Sequence, residues 1–307
     1  MSKTMTDLPN QGAMSLANWL QLLALGAIWG GSFFFARIAV AEIEPLTLVL
    51  YRVGIAALAL HLYLAARGLS FLSILPHAAG FFGLALLNNV VPFSLIFAGQ
   101  TELGAGLASV LNATTPFWTI VIANMVTSDE KLSWNKVAGI LLGFGGTAVM
   151  IGPGLVAGLC GPVWAKFALV AASLSYAFAV IFAKRFRGIP PVLVAAGQLT
   201  ASTIIMSPVV LAWSGTSGLF SASLPVWSAV FALALVSTAF AYILYFNIIA
   251  SAGATNASLV TLIVPVSAIL LGSLFLGERL ETFEVAGMLL IAFGLIVIDG
   301  RLLRRRQ

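Results

Sequence analysis

The residues able to do chemistry in this chain are few, and nearly all of them are neutral. Against 61% hydrophobic residues the charged ones make up 8%, so each polar group inside an apolar run stands out. Asn88 and Asn89 sit side by side with Pro92 after them, and Ser237-Thr238 is followed by Tyr242 and Tyr245. Ala105, Ser109, Asn112, Pro116, Thr119 and Ala123 fall on one helical face, and Ala254, Ser258, Thr261, Pro265, Ala268 and Gly272 repeat that stripe. Amides, hydroxyls and the carbonyl freed by a mid-helix proline are donors and acceptors without charge. They suit the binding of a small, net-neutral molecule in a cavity. Helix packing is the competing reading, since small and hydroxyl residues also let membrane helices approach closely. Trp29, with Ser32 and Phe33 about a turn away, and Tyr176 are candidate aromatic walls of the same cavity.

Catalysis has no comparable foundation. There is no G-x-x-x-x-G-K-[ST] loop. The two histidines, His61 and His77, stand apart, and no nucleophilic triad or carboxylate pair can be assembled at membrane depth. No enzyme activity, metal or cofactor is expected. The single cysteine, Cys160, allows no intrachain disulfide. The acids are Asp7, Glu42, Glu44, Glu102, Asp129, Glu130, Glu278, Glu281, Glu284 and Asp299, all near helix ends or in links. A charge at the bilayer centre costs about 2.5–3.5 kcal/mol on insertion scales, so a carboxylate kept there usually marks an ion or proton relay. Its absence from the sequence pattern argues against a proton switch of that kind. Arg52 is the deepest charge, and snorkelling or capping a neighbouring helix is preferred for it over binding a substrate carboxylate. Arg37 and Lys184 are repeat equivalents, as are Glu130 and Glu278. A Glu278–Arg37 pair closing the outer face and a Glu130–Lys184 pair closing the inner one are the candidate gate charges, with ordinary interfacial charge as the alternative.

The elements that must position these groups are long apolar runs. A spanning helix takes about 20 residues, and ten fit, at 17–36, 46–66, 77–99, 103–126, 134–152, 163–183, 192–212, 225–249, 253–276 and 283–300. Residues 1–16 form a polar N-terminal segment without the pattern of a cleaved signal peptide, and 301–307 a basic tail. The run 17–152 is repeated in 163–300. Gly104-Ala105 matches Gly253-Ala254, Pro116 matches Pro265, Glu130 matches Glu278, and Val137-Ala138-Gly139 matches Val285-Ala286-Gly287.

With both termini inside, the inner segments hold Lys3, Arg67, Lys131, Lys136, Lys184, Arg185, Arg187, Arg301, Arg304, Arg305 and Arg306, against Arg37, Lys166 and Arg279 outside. That bias predicts cytoplasmic termini. A five-helix unit repeated in one chain must be inverted, a construction common in secondary transporters. The net charge of +5 reads as a topology signal beside lipid, and no nucleic-acid partner is expected. Trp19, Trp134, Trp164, Trp213 and Trp227 fall at helix ends, as interfacial rings do, while Trp118 faces away from Asn112 toward packing or lipid. Gly139, Gly143 and Gly287 predict a close helix crossing inside the chain, with a dimer contact as the alternative.

W-G-G-S-F-F at 29–34, Y-R at 51–52, P-F-W-T at 116–119, G-A-T-N-A-S-L-V at 253–260 and L-F-L-G-E-R-L at 274–280 resemble the EamA branch of the drug/metabolite transporter superfamily. The resemblance runs over nearly the whole chain. Within the branch it is similar to bacterial YddG-type amino-acid exporters. It implies an all-α integral membrane protein of ten transmembrane helices, built as two inverted five-helix repeats around a central cavity bounded by helices 1, 3, 4, 6, 8 and 9. It implies multi-pass placement in the bacterial cytoplasmic (inner) membrane and, as cargo, amino acids or related small metabolites. The small multidrug branch carries a glutamate in its first helix, where this chain has Trp29 and Ser32. The expected function is therefore a secondary transporter working by alternating access, most simply as a monomer. A drug or other metabolite exporter, and a non-transporting receptor or assembly component, are the alternatives.

Overall fold

The computed structural model describes residues 15–126, 134–157, 163–215, 221–252 and 260–299. Within lipid each backbone N–H and C=O needs a partner in its own segment, which selects helices. The described residues form α1 (Leu16–Ala39), α2 (Pro45–Ala66), α3 (Phe71–Gln100), α4 (Ala105–Val126), α5 (Trp134–Ala157), α6 (Val163–Ala183), α7 (Pro191–Trp213), α8 (224–252), α9 (Val260–Leu276) and α10 (Thr282–Asp299). Seven of these, α1 to α4 and α6 to α8, are long and apolar enough to cross a membrane, and parts of α9 and α10 are shorter apolar helices. The chain is a multi-pass membrane protein.

Local chemistry fixes the helix starts. Ser15 Oγ accepts from the Asn18 amide at 3.1 Å to cap α1. Glu44 accepts from the Thr47 amide at 3.1 Å to cap α2, where Pro45 takes the first position.

Three helices depart from the uniform runs that the sequence predicts. α3 begins at Phe71, before the expected 77, as a 3₁₀ turn (Phe71–His77) containing Pro76, and passes through a π turn at Leu86–Val90. α8 holds a longer π segment at Ala232–Phe240. α4 is two pieces, Ala105–Asn112 and Thr115–Val126. Pro116 explains that break: its ring clashes with the carbonyl four residues back, on Asn112, and it has no N–H to donate. Thr115 Oγ1 donates to the Asn112 carbonyl at 2.8 Å, and Thr114 Oγ1 adds a bond to Leu111 O at 2.7 Å. Pro265, its repeat partner, stays inside α9.

The core runs through the centre of the bundle, with Phe97, Phe117, Leu48, Leu60, Leu111 and Leu199 fully buried. The outside is apolar too, as a lipid-facing surface is. Trp134 and Trp213 are 87% and 75% exposed at helix ends, and Trp19 and Trp164 are also exposed. Trp227 instead packs on Tyr51, ring centroids 5.1 Å apart, and Trp118 on Phe144 at 4.5 Å.

α5 and α10 cross within the chain on glycine. A Cβ on Gly146 would lie 2.6 Å from Gly287 O, and one on Gly139 2.7 Å from Gly294 O, whereas one on the adjacent Gly145 would meet nothing within 4 Å. Backbone cannot yield as a flexible side chain can. Gly146→Ala is therefore expected to destabilise the protein by about 1–3 kcal/mol, and Gly145→Ala to be neutral or slightly stabilising through helix propensity. Thermal unfolding of the two variants in detergent checks the contrast.

Candidate functional site

The two π turns place the polar groups. A π turn carries one residue more than an α turn, shifts the carbonyl ladder and is frequent at functional sites. That of α3 holds Asn88 and Asn89, and that of α8 holds Ser237 and Thr238. Asn88 Nδ2 donates to Gln198 Oε1 on α7 at 2.9 Å and to the Tyr242 hydroxyl on α8 at 3.3 Å. The re-aimed Leu87 carbonyl accepts from Ser175 Oγ on α6 at 2.8 Å, and Ser237 Oγ donates to Ile28 O on α1 at 3.1 Å. Tyr245 packs on Trp29, centroids 5.2 Å apart.

Arg52 completes this cluster. It is 7% exposed, so it neither snorkels nor caps a helix end. Its Nε donates to Thr238 Oγ1 at 3.0 Å, and its guanidinium lies 3.8 Å from the centre of the Phe93 ring. Tyr176 and Tyr242 lie within its electrostatic reach. Helices α1, α2, α3, α6, α7 and α8 thus converge on one aromatic and hydrogen-bonding centre. Gln198 is what sequence reasoning missed, and for Arg52 it ranked the inward reading second. The available signal was a lone amide and a lone cation in apolar helices, which is a functional hint in a membrane.

The remaining candidates are placed as follows. Asn89 points the other way, donating to Ser202 Oγ on α7 at 3.0 Å, and is fully buried with its Oδ1 unpartnered. Ser109 bonds the Gly106 carbonyl of its own helix at 2.6 Å. Asn112 ends the first piece of α4 with a buried, unpartnered Oδ1. Pro116 opens the second piece, so the stripe from Ala105 to Ala123 is interrupted and not one continuous face. Ser32 and Phe33 are buried on α1, and Thr261 and Pro265 half-buried on α9. Ser258 and Glu130 lie outside the described residues.

A second polar region lies at the end of the bundle that carries the α1–α2, α3–α4 and α9–α10 links. A depression of about 1050 Å³ there is lined by Arg37, Glu42, Ser223, Glu278 and Glu284 among others. The expected Arg37–Glu278 pair does not form. Helix ends take both charges instead. Arg37 Nη1 donates to the carbonyls of Gln100 (2.5 Å) and Thr101 (2.9 Å) at the C-terminus of α3. The Glu278 carboxylate accepts from the amides of Ala105 (2.8 Å) and Gly106 (3.2 Å) at the N-terminus of α4. Each charge sits on the dipole end of opposite sign. Gly277, at φ +66°, turns the chain so that the carboxylate enters a glycine cradle. A Cβ on Gly104 would lie 2.6 Å from its Cδ, and one on Gly272 would also collide with it. Lys184 follows α6 in a 3₁₀ turn, Lys184–Phe186.

Lys166, counted above among the outer loop charges, is fully buried. It donates to Met150 O at 2.9 Å and lies 3.9 Å from Glu284, which ties α5, α6 and α10 together. Across the bundle, Glu42 accepts from the Ser223 amide and hydroxyl, both at 2.7 Å, and these bonds hold its carboxyl below the usual range.

The sequence pattern of the EamA-like transporter family matches residues 17–152 and again residues 163–299. An uncharacterized inner membrane transporter of Escherichia coli K12, YedA, is 29% identical over 90% of this chain and 89% of its own length. An uncharacterized transporter of Bacillus subtilis, YoaV, is 24% identical over 94% and 98%. A probable terminal-alkyne amino-acid exporter of Streptantibioticus cattleyicolor is 25% identical over 68% and 69%. A solved crystal structure superposes with a TM-score of 0.67 at 21% identity, covering 95% of this chain and 99% of that one, which makes the fold a shared one.

Two expectations follow for the link end. Glu278→Ala removes a helix cap and is expected to lower stability by about 1 kcal/mol, read by thermal unfolding, while Glu278→Gln is expected to lose less. Glu42 has a lowered folded-state pKa, so its bonds to Ser223 contribute above the ordinary value of 4.5 and are lost as pH falls through the lowered one. Spin labels at Ala41 and Ala222, with Cys160 replaced, are expected to keep one distance from neutral pH down to that range and to separate below it. Glu42→Gln removes the pH dependence.

Proposed function

The chain belongs to the EamA-like transporter family of the drug/metabolite transporter superfamily, whose members are transporters and not enzymes, and from that premise we propose that it moves amino acids and related small metabolites across the cytoplasmic membrane by alternating access. The observation that carries the reading is the aromatic and neutral polar centre at the paired π turns. Groups from both halves meet in it: Trp29 and Asn88 come from one, Gln198, Tyr242 and Tyr245 from the other. A substrate held between Trp29, Asn88, Tyr176, Tyr242 and Tyr245 touches both halves and senses their relative movement. The exporter named for an amino acid among the similar proteins supports the cargo class, and the relative named as an inner membrane transporter supports the location.

In this reading ten helices cross the membrane as two inverted repeats with both termini cytoplasmic. The matching of one family pattern to each half supports the duplication, as do π turns at equivalent places in α3 and α8. The link end works as the outer gate. Glu278 from the second half holds the start of α4 in the first, and Glu42 from the first holds Ser223 in the second. Both ties must release when that face opens. The glycines of the α5–α10 crossing are used within the chain, which suits a monomer.

Uptake of labelled leucine, phenylalanine and threonine into proteoliposomes, with and without a pH gradient, tests the function. Saturable uptake indifferent to the gradient is expected, because no carboxylate among the described residues lies in the centre to carry a proton. Gradient-driven accumulation would overturn the coupling, and uptake of a cationic drug in place of every amino acid would overturn the cargo.

A further inference from the structure

Arg52 is a cation held inside an apolar bundle without an anion. No carboxylate among the described residues pairs with it, and the ion pair found there joins Lys166 to Glu284. Thr238 Oγ1 takes Nε and the Phe93 ring covers one face of the guanidinium. That leaves the edge formed by Nη1 and Nη2, the fork that fits a carboxylate with two parallel hydrogen bonds, without a hydrogen-bond acceptor among the described residues. A buried guanidinium lacking a counter-charge is costly, and an isolated charge inside a membrane protein is usually kept for a ligand.

The neighbouring groups Asn88, Gln198 and Tyr242 are neutral and bonded to one another, so they supply no negative charge to balance an amine. The fixed positive charge then favours a ligand with its own carboxylate and disfavours an amine without one.

We propose that Arg52 is the carboxylate-binding residue of the substrate site, so that the transported class is carboxylate-bearing: neutral amino acids and simple carboxylic acids, not their amides or amines. This rests on the transport reading above, of which it specifies the cargo.

The test is ligand-dependent thermal stabilisation of the purified full chain in detergent, using 4-methylpentanoate, 4-methylpentanamide and L-leucine. The acid and leucine are expected to stabilise the wild type saturably, and the isosteric amide to bind at least about tenfold more weakly. Arg52→Gln is expected to erase that difference. Arg52→Lys keeps the charge without the fork and retains a reduced preference. Equal affinity for acid and amide in the wild type, no saturable effect of either carboxylate, or a preference that survives in Arg52→Gln would overturn the assignment. Should Arg52→Gln not fold, the acid–amide comparison in the wild type decides alone.

Flux separates the two readings. Arg52-dependent binding of the acid without flux of any compound in vesicles overturns transport and keeps the anchor. Amides carried as well as acids keep transport and overturn the anchor.

Discussion

A polar group in the lipid-embedded part of this molecule finds its partner within the protein or goes without, because lipid offers none. The hydroxyls show the constraint most plainly. Thr114, Thr115, Ser173, Thr200 and Ser202 each return a hydrogen bond to a carbonyl of their own chain segment three or four residues back. Charges obey the same rule over longer distances. Arg37 takes two carbonyls at the end of one helix, Glu278 two amides at the start of the next, and Lys166 a carbonyl and a carboxylate. In water each would have been an exposed charge of little consequence. Here they tie the helix ends together.

The same constraint makes the centre of the bundle distinct from its ends. At the ends, charge is matched to helix dipole or to opposite charge. In the centre, amides and phenols are matched to each other and one guanidinium is left with a hydroxyl and a ring. A site meant to bind has to leave some capacity unused, and the guanidinium of Arg52 does so at the centre.

Much of the fold was legible in the sequence, because lipid enforces long apolar runs and the interface selects tryptophan at their ends. The α5–α10 crossing was legible from glycines spaced along one face. The break in α4 was written in Pro116, although the symmetric Pro265 shows that a proline alone does not decide whether a helix parts. What could not be read was local geometry that depends on neighbours. The π turns of α3 and α8 have no sequence code, and they determine that Asn88 meets Tyr242 while Asn89 turns to Ser202. The complementary charges of Arg37 and Glu278 predict a pair. Helix termini compete for the same charges, and which partner wins depends on the turn at Gly277 and the space left by Gly104 and Gly272. Gln198 has no spacing or repeat to mark it, and only its being a lone amide in an apolar helix does.

The π turns have one more consequence. Each is a phase defect, an extra residue wound into a helix. Unwinding that residue to ordinary α geometry turns everything beyond it by about 100°. In α8 that rotation would carry Tyr242 and Tyr245 off Asn88 and Trp29 together, with little translation of the helix. The centre is thus mounted on two screws rather than on two hinges.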